Sequence, residues 1–408
     1  MGLDVRSKKQ DFRKLNKIFT FDILHLTINH QPLTIIMNLQ PKKHYEILDG
    51  LRGVAAILVV AFHIFEAFAG GNRFKQIINH GYLAVDFFFL LSGFVVAYAY
   101  DDRWVKMTQW EFYKRRLIRL QPMVVMGMII GAIFYYFQAS DILFPMIAGM
   151  EVWKVIVTMV IGFTLLPIPP SLEIRGWGEM HPLDGPAWSL FFEYIANILY
   201  ALIFRKFSNK ILGFFVLIFA AMLINYTVFR PKGDVIGGWS LNLEQMNVGF
   251  TRLLFPFFAG VLLSRLGKLI HIKGAFWVCS LMIATVLIIP RIGDENSLWM
   301  NGLYESICII LVFPLIVAIG AGGEIKSPFS AKICKLFGDV SYPIYITHYP
   351  LIYWFTAWVV DNKVSLEDGY VIGIGVLISS IVMAYLCLKL YDEPVRNWLQ
   401  KKFQGSKG

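Results

Sequence analysis

Arg52 and His63 stand eleven residues apart in the apolar segment LDGLRGVAAILVVAFHIFEAF. At about 100° per residue that spacing is three turns plus roughly 20°, so in a helix the two share a face, about 16 Å apart along its axis. Asp49 and Glu66 fall within about 60° of the same stripe. Titratable groups in so apolar a stretch are costly unless they face a bundle interior or a wet cavity. An imidazole titrates near neutral pH and suits the removal of a proton from a hydroxyl, so His63 reads as a general base.

Other ionisable groups interrupt the apolar blocks: Asp86, Glu193, Arg252, Glu305, Asp339 and His348. Asp86, Glu193 and His348 sit at depths that let them converge with His63 from four separate segments. Asp86, Glu305 and Asp339 read first as structural polar groups bonded across helices. A second cluster, FYKRRLIRLQP, carries Lys114, Arg115, Arg116 and Arg119, with Pro122 read as helping to start the next span. Arg116 and Arg119 are three apart, share a face and could grip a bidentate anion such as a phosphate. A basic cluster there is also what membrane topology alone predicts.

Other chemistries lack their residues. There is no Walker A sequence, GxSxG elbow, HExxH or zinc-ligand spacing, and no metal site is expected. The HxxxxD spacing of His44 and Asp49 is one short match, read as chance. Cys279, Cys308, Cys334 and Cys387 are scattered and read as small buried hydrophobes.

The elements that must position these groups are membrane helices. Of 408 residues, 57% are hydrophobic and 16% charged, and the mean hydropathy is +0.58. A soluble chain carries about 25% charged residues. The fold class read from this is an all-α polytopic membrane protein. Ten spans are expected at 51–68, 81–100, 120–138, 186–204, 211–229, 248–264, 275–290, 301–320, 339–360 and 369–390.

Loops 101–119, 205–210, 265–274, 321–338 and the tail 391–408 sum to +13 in Lys and Arg over Asp and Glu. Loops 67–80, 139–185, 230–247, 291–300 and 361–368 sum to −4, despite Arg73 and Lys75 in the first of them. The positive-inside rule therefore places both termini in the cytoplasm of a multi-pass cell-membrane protein. The net charge of +10 is a topology signal, and no nucleic-acid partner is expected. The apolar stretch 152–166 is short for a span and would break the loop alternation by crossing, so it reads as re-entrant or interfacial. Residues 1–44 read as a cytoplasmic tail, disordered or a gene-model extension with Met37 as the start, residues 45–400 as the membrane domain, and 401–408 as a cytoplasmic tail. No soluble domain or fixed-period repeat is evident.

Several stretches together carry a resemblance: LDGLRGVAAILVVAFH, VDFFFLLSGFVV, FYKRRLIRLQP, PAWSLFFEYIANILYAL, RLLFPFFAGVLL, GDVSYPIYITHYPLIYW and YDEPVRNWL. In this order, and over nearly the whole chain past residue 45, they resemble the acyltransferase-3 family of integral membrane O-acyltransferases. The resemblance implies a ten-helix bundle with both ends cytoplasmic. It implies transfer of an acyl group, commonly acetyl, from cytoplasmic acyl-CoA to a hydroxyl of an envelope or exported glycan, with no tightly bound cofactor. On it His63 matches the essential first-helix histidine, Arg52 the arginine before it, Arg116 and Arg119 the RxxR pair, and Glu193 the acid of the WSLxxE element beside Trp188.

Some family members add an external hydrolase-like domain, and the chain reads as the stand-alone form. In the mechanism that follows, Arg116 and Arg119, helped by Arg115, hold donor phosphates. Glu193 or Asp86 orients the His63 imidazole, Arg52 stabilises charge, and His348 supports the site. Trp177, His181, Asp184 and Trp239 are the candidate sugar contacts, against interfacial anchoring for the tryptophans. The competing reading is a proton-coupled transporter or lipid-linked glycan flippase, weakened by the absence of internal repeats.

Overall fold

The computed structural model describes residues 42–404. The expectations on residues 1–41, with the start at Met37, and on the end of the C-terminal tail lie outside the described residues. Thirteen helices are used below: α1 Glu46–Ala69, α2 Ala84–Tyr100, α3 Gln109–Phe134, α4 Val152–Gly162, α5 Ala187–Leu202, α6 Asn209–Phe229, α7 Leu243–Leu266, α8 Ala275–Ile288, α9 Trp299–Gly322, α10 Pro328–Thr347, α11 Tyr349–Asp361, α12 Leu366–Cys387 and α13 Glu393–Gln404. Among the described residues there is no β-strand, only an isolated bridge between Ser140 and Phe144. The chain is an all-helical, polytopic membrane protein.

All ten expected segments are helical, and eight helical stretches are long and apolar enough to cross a membrane. The two segments that fall short do so for visible reasons. Segment 275–290 forms α8, of 14 residues. Segment 339–360 is not one helix but α10 and α11, divided at His348. Pro350 has no N–H to give the Ile346 carbonyl, so the α-helical ladder is interrupted one turn before it. Stretch 152–166 gives only the eleven-residue α4. At 1.5 Å per residue that is about 16 Å, half a hydrocarbon core.

The start of the third span needs correction. α3 begins at Gln109, and Pro122 lies inside it rather than at its start. Thr108 sets the beginning with a reciprocal cap: the Glu111 amide donates to its hydroxyl (3.2 Å) and its own amide donates to the Glu111 carboxylate (2.8 Å). Local capping chemistry outweighs the proline signal. Lys114 to Arg119 therefore ride on a rigid helix rather than in a loop.

Two helix pairs frame the centre: α1 runs along α10, and α2 along α7. Both pairs approach closely through small residues. A Cβ on Gly53 would collide with the Phe337 carbonyl, and one on Gly93 with that of Phe257. The α2–α7 register is fixed by a buried ion pair, Arg252 to Asp86 at 2.7 Å, with Arg252 also donating to the Tyr82 carbonyl (2.7 Å). Trp188 of α5 covers that guanidinium, 5.1 Å from its ring centre.

The two ends of the bundle differ. At one, Arg265 binds Asp101 (2.7 Å) and the Phe207 carbonyl (2.9 Å), gathering three basic loops. At the other, Glu305 accepts from Tyr82 (2.5 Å), Asn301 (2.7 Å) and the Val235 amide (2.8 Å), joining less charged loops. Glu305 thus has the structural role expected of it.

Candidate active site

A cavity of about 690 Å3 enters the bundle from the end where the basic loops gather. Side chains of His44, Lys332, Lys335 and Arg396 line its outer part. Deeper in, α1 contributes Arg52, α3 contributes Arg116 and Arg119, α2 contributes Ser92, and α5 contributes Glu193. Arg52 is held by the Ser341 hydroxyl of α10 (2.8 Å) and by Asp49 one turn earlier (3.2 Å). Asp49 also meets His44 at 2.7 Å, so the HxxxxD spacing does form a contact, at the cavity mouth.

Arg116 is buried and paired with Glu193 at 2.6 Å, and Ser92 donates to the same oxygen at 2.6 Å. Arg119 faces the cavity with no ion pair among the described residues. Arg115, one residue from Arg116 and so about 100° around the helix, is not on the cavity wall. The RxxR pair is therefore split: Arg116 is neutralised in place by Glu193, and Arg119 lines the cavity.

His63 lies farther along α1, beyond the cavity lining. Its Nδ1 is 2.8 Å from the Glu66 carboxylate, and Arg73 grips the other carboxylate oxygen at 3.0 Å. This fixes the imidazole as an Nδ1–H donor with Nε2 left to accept a proton. Neither Glu193, which is engaged with Arg116, nor Asp86, which is engaged with Arg252, orients His63. Glu66 does, and its signal was the i, i+3 spacing in HIFE, which puts acid and imidazole on one face.

His348 is brought beside His63 at the α10–α11 break, with ring centres 5.8 Å apart. Its Nδ1 donates to the Ile344 carbonyl (2.9 Å), and its buried Nε2 has no hydrogen-bond partner among the described residues. Tyr349 packs edge-on to His63 at 4.8 Å. Asp86 and Trp188 are brought together on Arg252, as part of the framework rather than beside the imidazole.

The loop between α4 and α5 folds back against α11. Arg175 is fully buried, stacked on Tyr353 at 3.6 Å and bonded to Gln138 (2.8 Å) and the Pro182 carbonyl (2.8 Å). Tyr353 donates to Glu179 at 2.6 Å. Burial pushes the Glu179 carboxyl up to about 7 against the pull of Arg175, and pushes His181 down to about 4. Asp184 is raised well above the carboxylate range by burial and then by Glu179. His181 and Asp184 are thus buried and not placed to touch a sugar. Trp177 is exposed, its indole N–H spent on the Leu143 carbonyl (3.0 Å), and Trp239 is half-buried.

Among the described residues no group of three metal-ligating side chains occurs. The profile of an acyltransferase domain matches residues 45–389. "Protein 2 in picA locus" of Rhizobium radiobacter is 36% identical over 174 residues, 40% of this chain and 85% of that protein. The O-acetyltransferase OatA of Staphylococcus aureus is 23% identical over 369 residues, 86% of this chain and 57% of that protein. The chain thus spans little more than half the length of that curated relative. No solved structure matches.

Proposed function

The chain belongs to the acyltransferase-3 family, and from that premise we propose that it is a membrane O-acyltransferase moving an acetyl group from acetyl-CoA to a hydroxyl of an envelope or exported glycan. The observation that carries this reading is the alignment of an arginine-lined cavity with a carboxylate-oriented histidine beyond its inner end. The excess of positive charge on the cavity-side loops supports a cytoplasmic position for that end, on the side where acyl-CoA is found.

Arg119, with Lys332 at the mouth, offers charge to the donor's phosphates. Arg116, already neutralised by Glu193, holds the wall in shape. Arg52 stands about 16 Å short of His63 and meets the donor's arm on its way inward. At His63, Nε2 takes the proton of the acceptor hydroxyl as its oxygen attacks the thioester carbonyl carbon. The carbon–sulfur bond then breaks, and the thiolate leaves with the proton that His63 returns. Glu66 stabilises the imidazolium in between, as the third member of a triad does.

The deciding experiment is acetyl transfer to envelope glycan by cells or proteoliposomes carrying His63→Ala. A folded, inserted variant is expected to lose at least about 10²-fold in rate, the usual contribution of a general base. Undiminished transfer would overturn the assignment.

A further inference from the structure

The cavity stops short of His63, and what stops it is aromatic. Phe88 and Tyr345 both line its inner end, their rings edge-to-face with centres 5.5 Å apart. Tyr345 is also the ring next to His348 (6.2 Å), which in turn neighbours His63 (5.8 Å). One aromatic layer therefore separates the cavity from the histidines. Its two halves differ in freedom. The Tyr345 hydroxyl is anchored, 2.7 Å from Ser189 and 3.3 Å from the Pro186 carbonyl. Phe88 has no polar tether and is only partly buried. His63 retains 17% of its side-chain exposure and does not line the cavity.

We propose that Phe88 and Tyr345 form a partition between the arginine-lined cavity and His63, with Tyr345 the fixed jamb and Phe88 the leaf, and that Phe88 limits the length of acyl chain that reaches His63. The second half rests on the acyltransferase reading above, whereas the first does not. A two-carbon acyl group needs only a ring rotation to pass beside Phe88. A longer chain must coil within the apolar end formed by Val85, Phe89 and Leu190 or displace the ring altogether. Phe88 is thus a specificity-determining residue for the acyl donor.

Two measurements test this separately. The first needs no catalysis. His63→Cys is made in a chain whose four cysteines are replaced, and oriented vesicles receive a membrane-impermeant thiol reagent from one side at a time. With Phe88 present, labelling from the side of the basic loops is expected to be slow. Phe88→Ala, and to a lesser degree Phe88→Leu, should speed it at least tenfold, while labelling from the opposite side stays unchanged and serves as the folding control. Equal rates with and without the ring would overturn the partition.

The second compares acetyl-, butyryl- and hexanoyl-CoA as donors. Phe88→Ala should raise the butyryl-to-acetyl rate ratio at least tenfold, whereas Phe88→Trp should lower acetyl transfer with donor binding retained. An unchanged ratio in Phe88→Ala overturns the length gauge. Failure of the unaltered protein to use any acyl-CoA would instead count against the acyltransferase reading, leaving thiol labelling to judge the partition.

Discussion

Glu66 is the residue on which the imidazole's usefulness turns. Held by Arg73 on one oxygen and by His63 on the other, it fixes the ring's orientation, and in the proposed mechanism its charge grows in value as the ring becomes an imidazolium. Glu66→Gln keeps the shape and removes the charge. Its turnover should fall on the order of 10²-fold while the KM for acyl donor is unchanged, as steady-state kinetics in proteoliposomes would measure. Arg119 should behave oppositely. A hydrogen bond to a charged group is worth about 1.5–3 kcal/mol, so Arg119→Ala should raise the donor KM roughly 10- to 100-fold with little change in kcat. Loss of kcat alone would place Arg119 elsewhere in the reaction.

At the scale of elements, some of the framework was legible in the chain and some was not, for physical reasons. Apolar block lengths revealed the spans because a bilayer imposes one length on all of them. The Arg52–His63 stripe was legible because both lie on one helix. Partners separated by many residues were not: Glu193 meeting Arg116, Asp86 meeting Arg252 and Ser341 meeting Arg52 are outcomes of helix packing. Asp86 illustrates the difference. Removing one member of a buried ion pair costs roughly 3–5 kcal/mol, so Asp86→Ala should lower yield and thermal stability in size-exclusion and melting assays rather than leave a folded, inactive protein.

The loop plugging α11 adds a pH dependence. The Glu179 carboxyl is raised to about 7, so the folded state holds a proton that the unfolded chain releases at ordinary carboxylate pH. Its contribution is complete below that range and is lost as pH rises through about 7. His181 is depressed to about 4, so the folded state lacks a proton that the unfolded chain binds below its ordinary value of 6.5. Its contribution is present above about 6.5 and lost as pH falls toward about 4. Glu179→Gln should therefore remove a loss of melting temperature that develops as pH rises from 4.5 to about 7, and His181→Gln one that develops as pH falls from 6.5 to about 4. Melting curves of the purified protein in detergent across this range would check both.

For the whole molecule, the depth of the cavity alters where the membrane's voltage drops. Filled with water and ions, such a pocket would leave the potential to drop across the layer between the proposed partition at Phe88 and Tyr345 and the opposite side. Moving one elementary charge across 100 mV takes about 2.3 kcal/mol. On the acyltransferase reading proposed above, the donor's charges stay on the pocket side of that layer, and the group that crosses it is neutral. Acyl transfer should therefore require no electrical work, and turnover in proteoliposomes should be the same with a potassium diffusion potential of either sign as with none.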